Sequence, residues 1–178
     1  MKARIVLFEP EIPQNTGNIA RTCAATGLEL VLIEPLGFRL EDRYLKRAGL
    51  DYWDKLRYRT AADMAGFLEL QGGAPLYYAS TKGGRLYTDI QYEEDCTVMF
   101  GPESRGLPVE FLEASPNSVL RIPTRADCRS LNLSNAVAIV IYELLRQHGF
   151  PGLSIQPPHL GGTEPLGSTE PREAPAKE

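Results

Sequence analysis

The chain has 178 residues, 43% of them hydrophobic, with a formal net charge of -4, which suits one globular domain with a sizeable core and argues against a nucleic-acid partner, since such partners usually leave a basic footprint. No apolar run approaches the roughly 20 residues that span a bilayer, and MKARIVLFEP lacks a signal-peptide apolar region, so a cytoplasmic protein without a membrane partner is expected. Cys23, Cys96 and Cys128 show no CxxC spacing and the only histidines are His148 and His159, so neither a disulfide framework nor a metal centre is expected.

Ala3 to Phe8 reads as a short apolar strand of the kind buried in a parallel sheet. Glu9 to Asn18, with its two prolines and Asn/Thr/Gly cluster, reads as a loop leading into a helix that carries Ile19, Ala20, Cys23 and Ala24 and stops at Gly27. Leu30 to Ile33 is the second strand, and this βαβ beginning implies a right-handed crossover. Glu41 to Ala48 reads as a short basic helix. Tyr52, Trp53, Leu56 and Tyr58 read as an aromatic-rich connection packed on the body, the alternative being stacking on a base. A helix follows from Thr60 or Ala61 to Leu70.

Leu76 to Ala79 is the third strand, followed by the small-residue loop Ser80 to Gly84. Cys96 to Phe100 is the fourth, running straight into Gly101 to Pro108. Val109 to Ala114 gives a short helix and Val119 to Ile122 the last strand. The final helix carries Leu133, Ala136, Val137, Val140, Ile141, Leu144 and Leu145 at helical spacing, starts among Ser130, Asn132 and Ser134, and stops at Gly149 and Pro151. Its Ala136 to Ile141 run has no polar side chain, so cover from the protein's own sheet and from a second copy is expected. The composition then turns to Pro, Gly, Ser, Thr and Glu. The expected organisation is one domain over residues 1–152 and a flexible tail over 153–178.

Strands alternating with helices predict a three-layer α/β fold with a mainly parallel sheet. Such folds bind ligands beyond the carboxyl ends of their strands, here at the loops Ser80 to Gly84, Gly101 to Pro108 and Pro123 to Leu133. Neither GxxxxGK[ST], GxGxxG nor GxSxG occurs, which leaves a phosphate loop, a dinucleotide fingerprint and a nucleophile elbow unsupported. Glu9, Glu11 and Glu103 could pair for acid/base work, although nothing in their spacing singles them out. The absent side chain of Gly101 would let a ligand lie against the main chain, and Pro102 stiffens the turn that follows. With Ile122 as one apolar wall and Leu131 and Leu133 as another, the slot suits a flat adenine better than a triphosphate. Arg39, Arg43, Lys46 and Arg47, and Arg121, Arg125 and Arg129 beside the last loop, form either solvated surface or a local basic face.

Three stretches together resemble a known family. Asn15-Thr16-Gly17-Asn18-Ile19-Ala20-Arg21, then Phe100-Gly101-Pro102-Glu103-Ser104-Arg105-Gly106-Leu107, then Ile122-Pro123 with Ser130-Leu131-Asn132-Leu133-Ser134-Asn135-Ala136, are similar in order and spacing to the three motifs of the SPOUT-class RNA 2'-O-ribose methyltransferases. EPEIPQNTGNIARTCA, Arg47 to Tyr52 and Thr81 to Gly83 resemble its TrmL/YibK branch, which modifies the wobble nucleotide of leucine tRNAs. The likeness covers Lys2 to about Gly152.

The resemblance implies a deep trefoil knot in the last strand, loop and helix, against the usual topology rules. It also implies S-adenosylmethionine as cofactor, held by Ala79, Gly101, Ile122, Ser130, Leu131 and Leu133, with S-adenosylhomocysteine as product and no metal. Ala79 departs from the Leu often found there, which makes its contact a backbone one. Arg21 would act on the ribose 2'-hydroxyl as electrostatic positioner, with base as the chemically more demanding role. Asn15, Glu103 and Asn135 would orient the loops and Arg21, the plainer reading being helix caps and loop hydrogen bonds. A homodimer through the knot helix is implied, with Arg21 facing the cofactor of the other subunit. The tRNA would be gripped through phosphates by Arg39, Arg43, Lys46, Arg47, Arg121, Arg125 and Arg129. The competing readings are a 2'-O-methyltransferase for another tRNA position or ribosomal RNA, and a non-catalytic RNA-binding or assembly protein. A flavodoxin-like nucleotide-binding enzyme would need a phosphate loop that is not found.

Overall fold

A computed structural model describes residues 1–40 and 53–154. The basic helix expected at Glu41 to Ala48 and the tail beyond residue 154 lie outside the described residues. In chain order the elements are β1 (Arg4–Phe8), α1 (Pro13–Thr26), β2 (Glu29–Ile33), β3 (Tyr58–Ala61), α2 (Met64–Gln71), β4 (Leu76–Ala79), β5 (Arg85–Leu86), β6 (Thr97–Phe100), α3 (Val109–Ala114), β7 (Val119–Arg121) and α4 (Leu133–Gln147). They build one seven-stranded sheet in the order β3-β2-β1-β6-β4-β7-β5, with every neighbouring pair parallel.

The period of two along each strand sorts side chains onto the two faces. Ile5 and Leu7 of β1, Leu30 and Leu32 of β2, and Val98 and Phe100 of β6 join Ile19, Ala20 and Cys23 of α1 and Val137, Val140, Ile141, Leu144 and Leu145 of α4 in one core. Their alternates Val6, Phe8, Val31, Ile33 and Met99 pack on Phe67 of α2 and Leu112 of α3 in the other. Helix, sheet and helix therefore form three layers, as expected. Cys23 and Cys96 are buried and Cys128 is exposed, and burial pushes both buried thiols up to about 12.

Three element boundaries differ from the sequence reading. Tyr58 to Ala61, expected as connection and helix start, is a strand pairing with Leu30 to Ile33, and α2 starts only after Asp63, whose side chain accepts the Gly66 N–H at 2.8 Å. Tyr and Thr favour the pleated surface, and Asp63 is a ready cap. α1 begins at Pro13, inside the segment expected as loop, because proline fits the first helical position, where its missing N–H costs nothing. Asn15, Thr16 and Gly17 are therefore buried in the first turns of a helix. β5 is only two residues long, too short for any periodicity to show. α1 does end as expected, with Gly27 at φ 71° and the Leu28 N–H on the Cys23 carbonyl at 3.1 Å. Leu153, expected to open the tail, is half-buried against the first core.

Candidate active site

Beyond the carboxyl ends of β4, β6 and β7 lies a pocket of about 510 Å3, bounded by the three loops that the alternation of elements pointed to. That volume is ample for a small ligand. Ala79, Gly101, Ile122, Ser130, Leu131 and Leu133 all line it, and so do Asn15 and Glu103. Phe100, Leu107 and Leu120 add further apolar wall, while Lys82, Arg105 and Arg129 bring cations to its rim.

The other expected residues lie apart. Arg21 and Asn135 are exposed and do not line this pocket. Arg39 and Arg121 are exposed and also outside it, and Arg125 is turned to Asp127 at 3.1 Å. Arg43, Lys46 and Arg47 fall outside the described residues. Of the basic set beside the last loop, only Arg129 reaches the pocket.

A line of hydrogen bonds joins the loops. Asn132 donates from Nδ2 to Asn15 Oδ1 at 2.9 Å, and Asn15 donates from its own Nδ2 to Glu103 Oε1 at 2.9 Å. The other Glu103 oxygen accepts the Glu11 N–H at 3.0 Å. Asn132 is also the N-cap of α4, its Oδ1 accepting the Ser134 N–H at 2.9 Å. An amide side chain can cap a helix and donate at once, which is what this junction requires. The sequence reading counted Asn132 among the residues that could cap this helix but gave the orienting role to Asn135, three residues on; that a capping amide has a second group free to donate was the signal available.

The loop carboxylates are bonded to other partners and not to one another. Glu11 Oε1 accepts the Ser104 hydroxyl at 2.7 Å and Oε2 its N–H at 2.9 Å, while Glu9 pairs with Arg105. The bonds from Ser104 hold the Glu11 carboxyl below the usual carboxylate range. A depressed folded-state value means that these bonds contribute fully at neutral pH and are lost as pH falls through that lowered value.

Gly101 has a second reason beside the expected one. A Cβ built there would stand 2.3 Å from the Leu107 nitrogen and 2.4 Å from the Gly106 carbonyl carbon. The space left by its absent side chain is filled by the protein's own loop, which folds back on β6 and is closed by the Gly106 N–H on the Pro102 carbonyl at 2.9 Å. Gly83 repeats the device, its Cβ position lying 2.8 Å from the Leu120 carbonyl, so that the Ser80 to Gly84 loop lies flat on β7.

Among the described residues no group of three or more His, Cys, Asp or Glu side chains could hold a metal ion, and no helix is long and apolar enough to cross a membrane.

Residues 2–142 match the SpoU rRNA Methylase family. The tRNA (cytidine(34)-2'-O)-methyltransferase of Escherichia coli strain K12 is 49% identical over 149 residues, covering 83% of this chain and 95% of that protein. A solved structure described as giving structural insights into the 2-OH methylation of C/U34 on tRNA superposes with a TM-score of 0.79 at 46% identity, over 83% of this chain and 97% of that one. An AdoMet-bound rRNA methyltransferase from Sinorhizobium meliloti superposes with a TM-score of 0.73 at 26% identity, over 82% of this chain and 56% of that one.

Proposed function

Because the chain belongs to the SpoU rRNA Methylase family, we propose that it is a cytoplasmic S-adenosylmethionine-dependent tRNA 2'-O-ribose methyltransferase that modifies the wobble cytidine or uridine, nucleotide 34 in its relatives, of leucine tRNAs. The observation that carries the reading is convergence. Three motifs separated by tens of residues meet at one pocket whose size and apolar walls fit a bent adenosyl cofactor.

When bound, that cofactor supplies an already activated sulfonium methyl. The residues of this chain then have two tasks. Ile122, Leu131 and Leu133 give the pocket apolar walls for the adenosyl group, and the Ala79 and Gly101 backbones offer hydrogen-bonding groups at the strand ends. A ribose hydroxyl is too weakly acidic to attack unaided, so its proton must pass to a base or to water as the methyl is taken up, and the developing alkoxide is stabilised by a positioned cation. Arg21 takes that role, and Asn15 and Glu103, tied together, fix the first turns of the helix that carries it. Asn132, in place of Asn135, is the asparagine joined to them. Arg39, Arg43, Lys46, Arg47, Arg121, Arg125 and Arg129 grip RNA phosphates, which makes binding salt-dependent.

The proposal includes a homodimer through α4. Val137, Val140, Ile141, Leu144 and Leu145 are buried within one chain, whereas Tyr142 is 51% exposed with half-buried Ala138 and Ile139 nearby. A second copy would cover these three, and it would give Arg21, which does not line its own pocket, a cofactor to face. Sedimentation should show a dimer at working concentrations; a stable monomer would overturn the assembly.

The terminal knot belongs to the same proposal. Residues 80–96 leave β4, pass the sheet edge as β5 and return to start β6. That connection meets β7 through the Ser80 N–H on Leu120 O at 2.9 Å and α4 through the Tyr92 N–H on Gln147 Oε1 at 3.0 Å. It is the loop that the terminal strand and helix would thread.

Mass spectrometry of tRNA from a strain lacking the gene should show the ribose methyl missing from the wobble nucleotide of leucine tRNAs, restored by the wild-type gene. Leucine tRNAs with that methyl intact would sink the assignment.

A further inference from the structure

We propose that Glu11 is a positioning residue for methyl transfer, fixing from outside the pocket the loop that carries Glu103. The inference rests on the methyltransferase reading given above. Three consecutive residues of the pocket-lining loop, Glu103, Ser104 and Arg105, are each tied to the segment between β1 and α1. Glu103 Oε2 accepts the Glu11 N–H at 3.0 Å. Ser104 donates its hydroxyl and its N–H to the Glu11 carboxylate at 2.7 and 2.9 Å, and Arg105 pairs with Glu9. Glu103, Ser104 and Arg105 line the pocket, but Glu11 does not.

The bonds run in both directions between two loops that are 92 to 93 residues apart in sequence. Neither loop can shift without breaking its partner's bonds as well as its own. Glu11 is also braced from behind: the Gly37 N–H reaches the Pro10 carbonyl at 2.9 Å, and a Cβ at Gly37 would stand 2.8 Å from Glu11 Cα. From Glu103 the line continues through Asn15 to Asn132 and the start of α4. Outside the pocket, the Glu11 carboxylate thereby fixes Ser104, next to Glu103, while its backbone N–H holds Glu103 itself, from which the line runs to the helix mouth. Misplacing reacting groups by about 1 Å costs on the order of 100-fold in rate, so a residue that holds such a line acts on turnover more than on substrate capture.

The test compares Glu11→Ala and Glu11→Gln in the full chain, with tRNA as substrate. Glu11→Ala should lower kcat by about 10- to 100-fold and leave KM for tRNA within about 3-fold. Glu11→Gln, which keeps an acceptor oxygen for Ser104, should recover most of that loss. Amide hydrogen exchange at Ser104, measured without cofactor or RNA, should quicken in Glu11→Ala and stay near wild type in Glu11→Gln. Should Glu11→Ala fail to fold, Ser104→Ala removes only the hydroxyl bond and should lower kcat by about 3- to 10-fold. An unchanged kcat, a loss confined to KM, or a Gln variant no better than Ala would overturn the proposal. Wild-type protein that transfers no methyl to tRNA would instead overturn the methyltransferase reading, and the exchange measurement would still report whether Glu11 holds the loop.

Discussion

Arg21→Ala should lower methyl transfer by about 100- to 1,000-fold, the usual cost of deleting one donor that stabilises developing negative charge, while S-adenosylhomocysteine still binds nearly as well as to the wild type. The two halves of that expectation come from different observations. Arg21 is exposed on α1 and absent from the pocket lining, so its truncation opens no cavity and removes no wall of the site. In the proposed transfer step negative charge develops on the ribose oxygen as its proton departs, and a cation stabilises that charge. Arg21→Lys should fall in between, since an ammonium keeps the charge and loses the planar fork. Single-turnover transfer and calorimetry on the same preparations separate the two effects. Unchanged turnover would remove Arg21 from the mechanism.

Gly101→Ala should do the reverse and damage the site itself. Its new methyl would meet backbone on both sides, at 2.3 and 2.4 Å, and backbone cannot swing aside as a flexible side chain can. Overpacking of this kind costs about 3 kcal/mol at the upper end of its usual range, equivalent to roughly 10 °C in melting temperature for a chain of this size. Relief requires the Gly106 to Leu107 turn to lift off β6. That turn ends the stretch holding Glu103 and Ser104, so cofactor uptake should weaken by at least about 10-fold even well below the melting temperature. A variant that melts and binds like the wild type would show that the loop relaxes freely.

Most of the fold was legible because its signals are local and periodic. β1, β2, β4 and β6 are short apolar runs bounded by turn residues, and α4 repeats its apolar positions with a cap at one end and Gly149 at the other. β3 was missed because Tyr58 to Thr60 are exposed, and an edge strand without buried alternation looks like connection. The pocket walls were legible as well: Ile122, Leu131 and Leu133 are apolar residues at strand and helix ends, where an α/β sheet places its ligands. What holds the pocket in shape was not. The bond from Ser104 to Glu11 joins residues 93 positions apart, and the pattern around either one gives no hint of the other. Gly101 shows the same limit from another side. Its need for a missing side chain could be read, but which neighbour fills the space depends on how the following five residues fold back.

The strand order carries a consequence for how the chain is made. β5 pairs with β7 and with no other strand among the described residues, and β7 also completes the open side of β4. On the ribosome, Arg85 and Leu86 emerge well before Val119, so for that interval β4 presents bare N–H and C=O groups to any passing strand. A chain halted before Val119 would keep that edge permanently, and it would be the form that clumps.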